Sequence, residues 1–98
     1  MFSYVFHNGY AIKSNRESGT GRPDIALMPS VRTQSYIIIE FKIADAWDKM
    51  DETCQKAIAQ IRKQRYAEEP YAMGYSRIPL YGIAFWKKQA LVRLAADY

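Results

Sequence analysis

The chain has 98 residues, 49% of them hydrophobic, enough for one compact core and too few for two, so residues 1–98 read as a single domain. Its 14 Lys and Arg against 10 Asp and Glu leave a net charge of +4, which suits a polyanionic partner without requiring one. The single cysteine, Cys54, excludes an intrachain disulfide, and neither a signal-peptide pattern nor a bilayer-length apolar run is present, so a reducing, cytoplasmic setting is expected.

Phe2 to Phe6 and Tyr10 to Lys13 flank Asn8-Gly9, a pair that favours a type I′ turn. The segment reads as a hairpin, with the remnant of a helix before the turn as the other reading. Ser14 to Pro23 contains Gly19, Gly21 and Pro23 and reads as a loop. Asp24 to Met28 is a short strand closed by Pro29-Ser30. Gln34 to Ile43 is the strongest strand, and its apolar run at Ile37 to Ile39 points to a central place in a sheet. A helix capped by Asp45 or Asp48 is expected to run to about Glu69 and stop at Pro70. Met50, Cys54, Ala57, Ile58 and Ile61 form its buried stripe, with Lys56, Gln60, Lys63 and Gln64 on a neighbouring polar face. Tyr71 to Arg77 connects to a strand at Leu80 to Trp86, and Lys87-Lys88-Gln89 turns into a last strand at Ala90 to Ala95. Strands, one long helix, then strands predict a mixed α/β layer architecture.

Within the strongest strand, Glu40 and Lys42 stand two residues apart, so they share one face while Ile39, Phe41 and Ile43 share the other. Charges inside a core-like strand are costly unless solvated, paired or holding a metal. Taken alone, Glu40-Phe41-Lys42 reads as a solvent-facing pair at the end of a strand, Asp24 as a strand-start residue and Gln60 as a wet helix residue. Cys54 reads as inert core, and Tyr81, Phe85 and Trp86 as core aromatics. His7 receives no role.

Taken together, Arg22-Pro23-Asp24, Glu40-Phe41-Lys42 and Gln60 with Tyr66 beyond it resemble the PD-(D/E)XK nuclease superfamily. More narrowly, the stretches from Ser14 to Arg22 and from Tyr81 to Phe85 resemble the branch found at the C-terminus of AAA-ATPase-like bacterial proteins. The resemblance implies a restriction-endonuclease-like mixed sheet with one long helix after the central strand. It also implies a nuclease that uses Mg²⁺, or Mn²⁺ in its place, to hydrolyse phosphodiester bonds in nucleic acid, with DNA as the expected substrate. The alternative is a DNA-binding or protein-docking module that keeps the fold without the chemistry.

Carried over position by position, Asp24 and Glu40 match the metal-binding acids, with the Phe41 backbone carbonyl as a further ligand. Lys42 matches the lysine beside the attacking water, and Gln60 the helix glutamine near the site. Glu17 and Tyr66 are accessory candidates, Glu17 also reading as a partner for Arg16 or Arg22. Arg16, Arg22, Lys56 and Lys63 are candidate phosphate contacts, which add affinity without sequence information.

Two positions depart from the pattern. Many relatives carry a tyrosine four residues after the glutamine, where this chain has Gln64, with Tyr66 two residues later. The family fold opens with a helix packed on the sheet, and the residues before Tyr10 are too few for a full one. A missing or truncated N-terminal helix leads to the expectation of a homodimer, or of a larger ATPase-linked protein that supplies the cover.

Overall fold

The computed structural model describes residues 2–7, 9–15 and 22–95. They form a six-stranded sheet in sequence order: β1 (Phe2–His7), β2 (Tyr10–Asn15), β3 (Ile25–Pro29), β4 (Ile37–Ile43), β5 (Leu80–Trp86) and β6 (Gln89–Ala95). Between β4 and β5 lie a 3₁₀ turn at Trp47–Lys49, helix α1 (Met50–Lys63) and a short helix α2 (Glu68–Ala72). β4 and β5 pair in parallel and all other neighbours pair antiparallel, giving a mixed sheet. A parallel pair needs a long crossover, and the two helices supply it. The expected hairpin therefore forms, with Gly9 at φ 80°, and no helix precedes α1 among the described residues.

One face of the sheet carries the core. α1 lays Met50, Cys54, Ala57, Ile58 and Ile61 against it, as the helical spacing predicts. Ile38, Leu80 and Ala84 of the central strands meet them and are fully or almost fully buried. Gly82 of β5 is the point of closest approach. A Cβ there would land on the Cys54 carbonyl oxygen and press on Ile58 and Ala57. At the far end, the Tyr75 hydroxyl donates to the Pro29 carbonyl at 2.6 Å and receives the Arg32 guanidinium at 2.9 Å, fastening the α2–β5 connector to β3.

The expected single helix ends earlier than Pro70. Arg65 adopts φ 57°, its N–H bonds the Arg62 carbonyl, and the Tyr66 N–H bonds the Ile61 carbonyl. These two bonds make a Schellman ending, with Tyr66 and Ile61 both in the core. Pro70 then falls in the first turn of α2, where a missing N–H costs little. At the other end, neither Asp45 nor Asp48 caps α1; its N-cap is Lys49, with no side-chain cap bond. Instead, the Thr53 hydroxyl donates back to the Lys49 carbonyl at 2.7 Å.

The opposite face has no helix over it among the described residues. The strand register aligns Ile25 of β3, Ile39 of β4, Tyr81 of β5 and Leu94 of β6 in one row. Phe41, Ile83 and Val92 form the next row, and Ile43 and Phe85 the next. Ile43 is 83% exposed and Leu94 55%. Phe85, expected in the core, is exposed on this face, its ring 5.7 Å from that of Phe41.

Candidate active site

Asp24 immediately precedes β3, and the β3–β4 register carries on to set it opposite Glu40. Both therefore lie on the α1 side of the sheet, and reciprocal hydrogen bonds join them. The Asp24 N–H donates to Glu40 Oε1 at 2.9 Å, and the Phe41 N–H donates to Asp24 Oδ2 at 2.8 Å. The Asp24 carboxylate thus continues the ladder where β3 begins. From α1, the Gln60 amide donates to Glu40 Oε2 at 2.6 Å. Sheet and helix in this way fix both oxygens of one carboxylate, Glu40, whose residue is only 3% exposed.

Burial pushes the Glu40 pKa up from 4.5 to about 7. The Asp24 N–H opposes this, the negative charge of Asp24 adds to it, and the positive charge of Lys42 opposes it again. Lys42, two residues along on the same face, is half-buried. With Ser14, Asp24, Ile25, Phe41, Ile43 and Phe85 it lines an open groove of about 580 Å³. The groove runs from Asp24 and Lys42 onto the uncovered apolar face.

The structure brings Asp24, Glu40, Phe41, Lys42 and Gln60 together, and the other candidates stand further out. Lys56 and Lys63 are exposed on α1, one turn before and one after Gln60, so all three lie along one side of the helix. Lys56 also approaches Glu52 at 4.0 Å. Tyr66 is buried in the core, and the hydrogen bonds linking Asp24, Glu40 and Gln60 do not involve it. Arg22 is exposed at the mouth of a separate small cavity that Tyr66 also lines. Arg16 and Glu17 lie outside the described residues.

Among the described residues, no three Asp, Glu, His or Cys side chains cluster. The available donors are two carboxylates and the Phe41 carbonyl, all hard oxygens of the kind Mg²⁺ and Mn²⁺ take. Two acids drawn together against burial and mutual repulsion form a site that a divalent cation would relieve. The donor set fits such an ion. Cys54 offers no rival chemistry: burial pushes its thiol up, and Sγ contacts the Leu91 carbonyl at 3.1 Å.

Sequence reasoning passed over Lys13, which is buried on the core side of β2. Strand period puts Lys13 on the face of Ala11, but that this face is the core one follows from the pairing of β2 with β3.

A family model for the PD-(D/E)XK nuclease superfamily matches residues 1–93. No curated protein and no solved structure matches the chain. The fold, with its mixed sheet and a helix after the central strand, agrees with that match, and the chain belongs to the PD-(D/E)XK nuclease superfamily.

Proposed function

We propose that this chain is a divalent-metal-dependent nuclease that hydrolyses phosphodiester bonds in DNA. The observation that carries the reading is the closed set of hydrogen bonds joining Asp24, Glu40, Phe41 and Gln60 beside Lys42 at the edge of an open groove. Asp24, Glu40 and the Phe41 carbonyl would hold the ion, and Mg²⁺ or Mn²⁺ bound there would supply charge neutralisation at the phosphate, a lowered pKa of water and help for the leaving oxygen. Gln60 keeps the Glu40 carboxylate turned to the site. Lys42 donates hydrogen bonds to the attacking water or to the developing phosphate charge. Lys56 and Lys63, with Arg22 and Arg16, contact backbone phosphates and set affinity.

Calorimetric titration of Mn²⁺ into wild type, Asp24→Asn and Glu40→Gln, alone and with a DNA fragment, tests this. One site in wild type, lost in both variants, is expected, as is cleavage of labelled DNA that falls by about 10²–10³-fold in Lys42→Met. A folded wild type that takes up no metal even with DNA present, and cuts neither DNA nor RNA, would leave a binding module in place of an enzyme.

Assembly belongs to the same reading. The uncovered face spans six strands spaced by about 4.8 Å, each of roughly 20 Å, a footprint of roughly 600 Å² before side-chain relief is counted. Stable interfaces bury about 800 Å² per partner. The central rows of this face, from Ile25 to Leu94 and from Phe41 to Val92, contain no charged residue. A second copy of the chain, packed over Tyr81, Ile83, Val92 and Leu94, is the occupant, and the groove lined by Ile25, Phe41 and Ile43 stays open to nucleic acid.

A further inference from the structure

A small cavity beneath the α1–α2 corner is separate from the groove beside Lys42. It encloses about 80 Å³ and is lined by Lys13, Arg22, Tyr36, Arg65, Tyr66 and Glu69, among others. Three cations line it with one carboxylate, Glu69, and Arg65 also makes an exposed ion pair with Glu68 at 3.3 Å. Lys13 is only 7% exposed, while Arg22 and Arg65 stand at the surface. The Tyr36 ring packs against that of Tyr75, centroids 5.1 Å apart, which holds one wall of the cavity in place before any ligand arrives. Lys13 Nζ lies 6.0 Å from the centre of the Tyr36 ring, and both residues line the cavity. A space of this size takes a few waters or one tetrahedral oxyanion.

Its position relative to the acids gives it a use. Lys13 pairs with Ala26, two residues along β3 from Asp24, a step of about 7 Å. Arg22 is two residues before Asp24, and Gln64 of the lining is one helical turn past Gln60. A strand phosphate seated in the cavity would therefore lie within a nucleotide or two of a phosphate at Asp24 and Glu40. We infer that this cavity is a phosphate-binding subsite, recognised by Lys13, Arg22 and Arg65, that fixes the register of the nucleic-acid strand on the acid pair. This rests on the nuclease reading for its purpose, but binding of phosphate can be tested without cleavage.

The test is titration of inorganic phosphate at constant ionic strength into ¹⁵N-labelled, metal-free protein, followed by amide shifts. Saturable shifts at residues 13, 22 and 64–66 are expected. Arg22→Gln combined with Arg65→Gln, both at exposed positions that should not threaten folding, should weaken binding at least about tenfold. Lys88→Gln, on the β5–β6 turn, should leave it unchanged. Competition by short oligonucleotides then separates the sources of the phosphate. Stronger competition by a 5′-phosphorylated than a 5′-hydroxyl trinucleotide assigns the cavity to a strand end, and equal competition assigns it to an internal phosphodiester. Shifts confined to other surfaces, full binding by the double variant, or no competition by either oligonucleotide would overturn the subsite. Phosphate seated here in a protein that never cleaves would defeat the nuclease reading alone; cleavage without phosphate seating would defeat the subsite alone.

Discussion

Glu40 is a carboxylate withdrawn from water, and that has a pH signature. Its folded pKa of about 7 exceeds the ordinary 4.5, so the folded state holds the proton more tightly than the unfolded state does. Stability without metal is therefore fullest below about pH 4.5, falls as pH rises toward 7 and levels off above it as far as this group is concerned. Glu40→Gln removes the charge and keeps the shape, so it should flatten that slope and add about 1 kcal/mol near pH 8. For a domain of this size, that raises Tm by roughly 4–8 °C. Thermal melts of both proteins at about pH 5 and about pH 8, with chelator present, check this; equal pH slopes would count against it. The shared face of Glu40 and Lys42 was legible from strand period alone. That Asp24 and Glu40 hold each other through backbone N–H groups was not, because that depends on how β3 and β4 are paired.

Helix α1 ends where Arg65 takes a left-handed conformation, a position at which glycine pays no steric penalty. Arg65→Gly should therefore stabilise the fold by about 1 kcal/mol. The lost Arg65–Glu68 contact is exposed and offsets little of this. A higher urea midpoint with an unchanged m-value is the expected result. Gly82 presents the opposite case. Its added methyl would meet the Cys54 carbonyl, which is backbone and cannot swing aside. Gly82→Ala should cost about 1–3 kcal/mol and lower the midpoint. The buried stripe of α1 was readable from helical period. The break at Arg65 was not, because no glycine or proline marks it and the polar residues from Arg62 to Arg65 continue a helical pattern.

At the scale of the whole molecule, the helices among the described residues cover the sheet on one side only. Light scattering at micromolar concentration should give twice the monomer mass, and Leu94→Lys, on β6 away from the acids, should return a monomer that still binds Mn²⁺. A wild-type monomer would end the sheet-to-sheet arrangement. The apolar run at Ile37 to Ile39 points to a central place in the sheet, and β4 lies there between β3 and β5. In the structure, α1 covers Ile38, while Ile37 and Ile39 are half-buried on the face without a helix. Hydrophobicity on both faces shows that cover is needed, and does not show whether the same chain provides it.

By itself, the sequence determined what repeats at short range: the strand alternation that puts Glu40 beside Lys42, the helical stripe from Met50 to Ile61, and the strand at Leu80 to Trp86. Together with the flanking stretches, it also determined the family. Tertiary structure alone decided what depends on residues far apart in the chain. Gln60 reaches Glu40 because α1 packs across β4 and β5, and it packs that closely because Gly82 has no side chain. Lys13 is buried because β2 pairs beside β3 under the α1–α2 corner. Periodicity is a local property of the backbone, whereas these contacts are fixed by strand order and by the approach of a helix to a sheet.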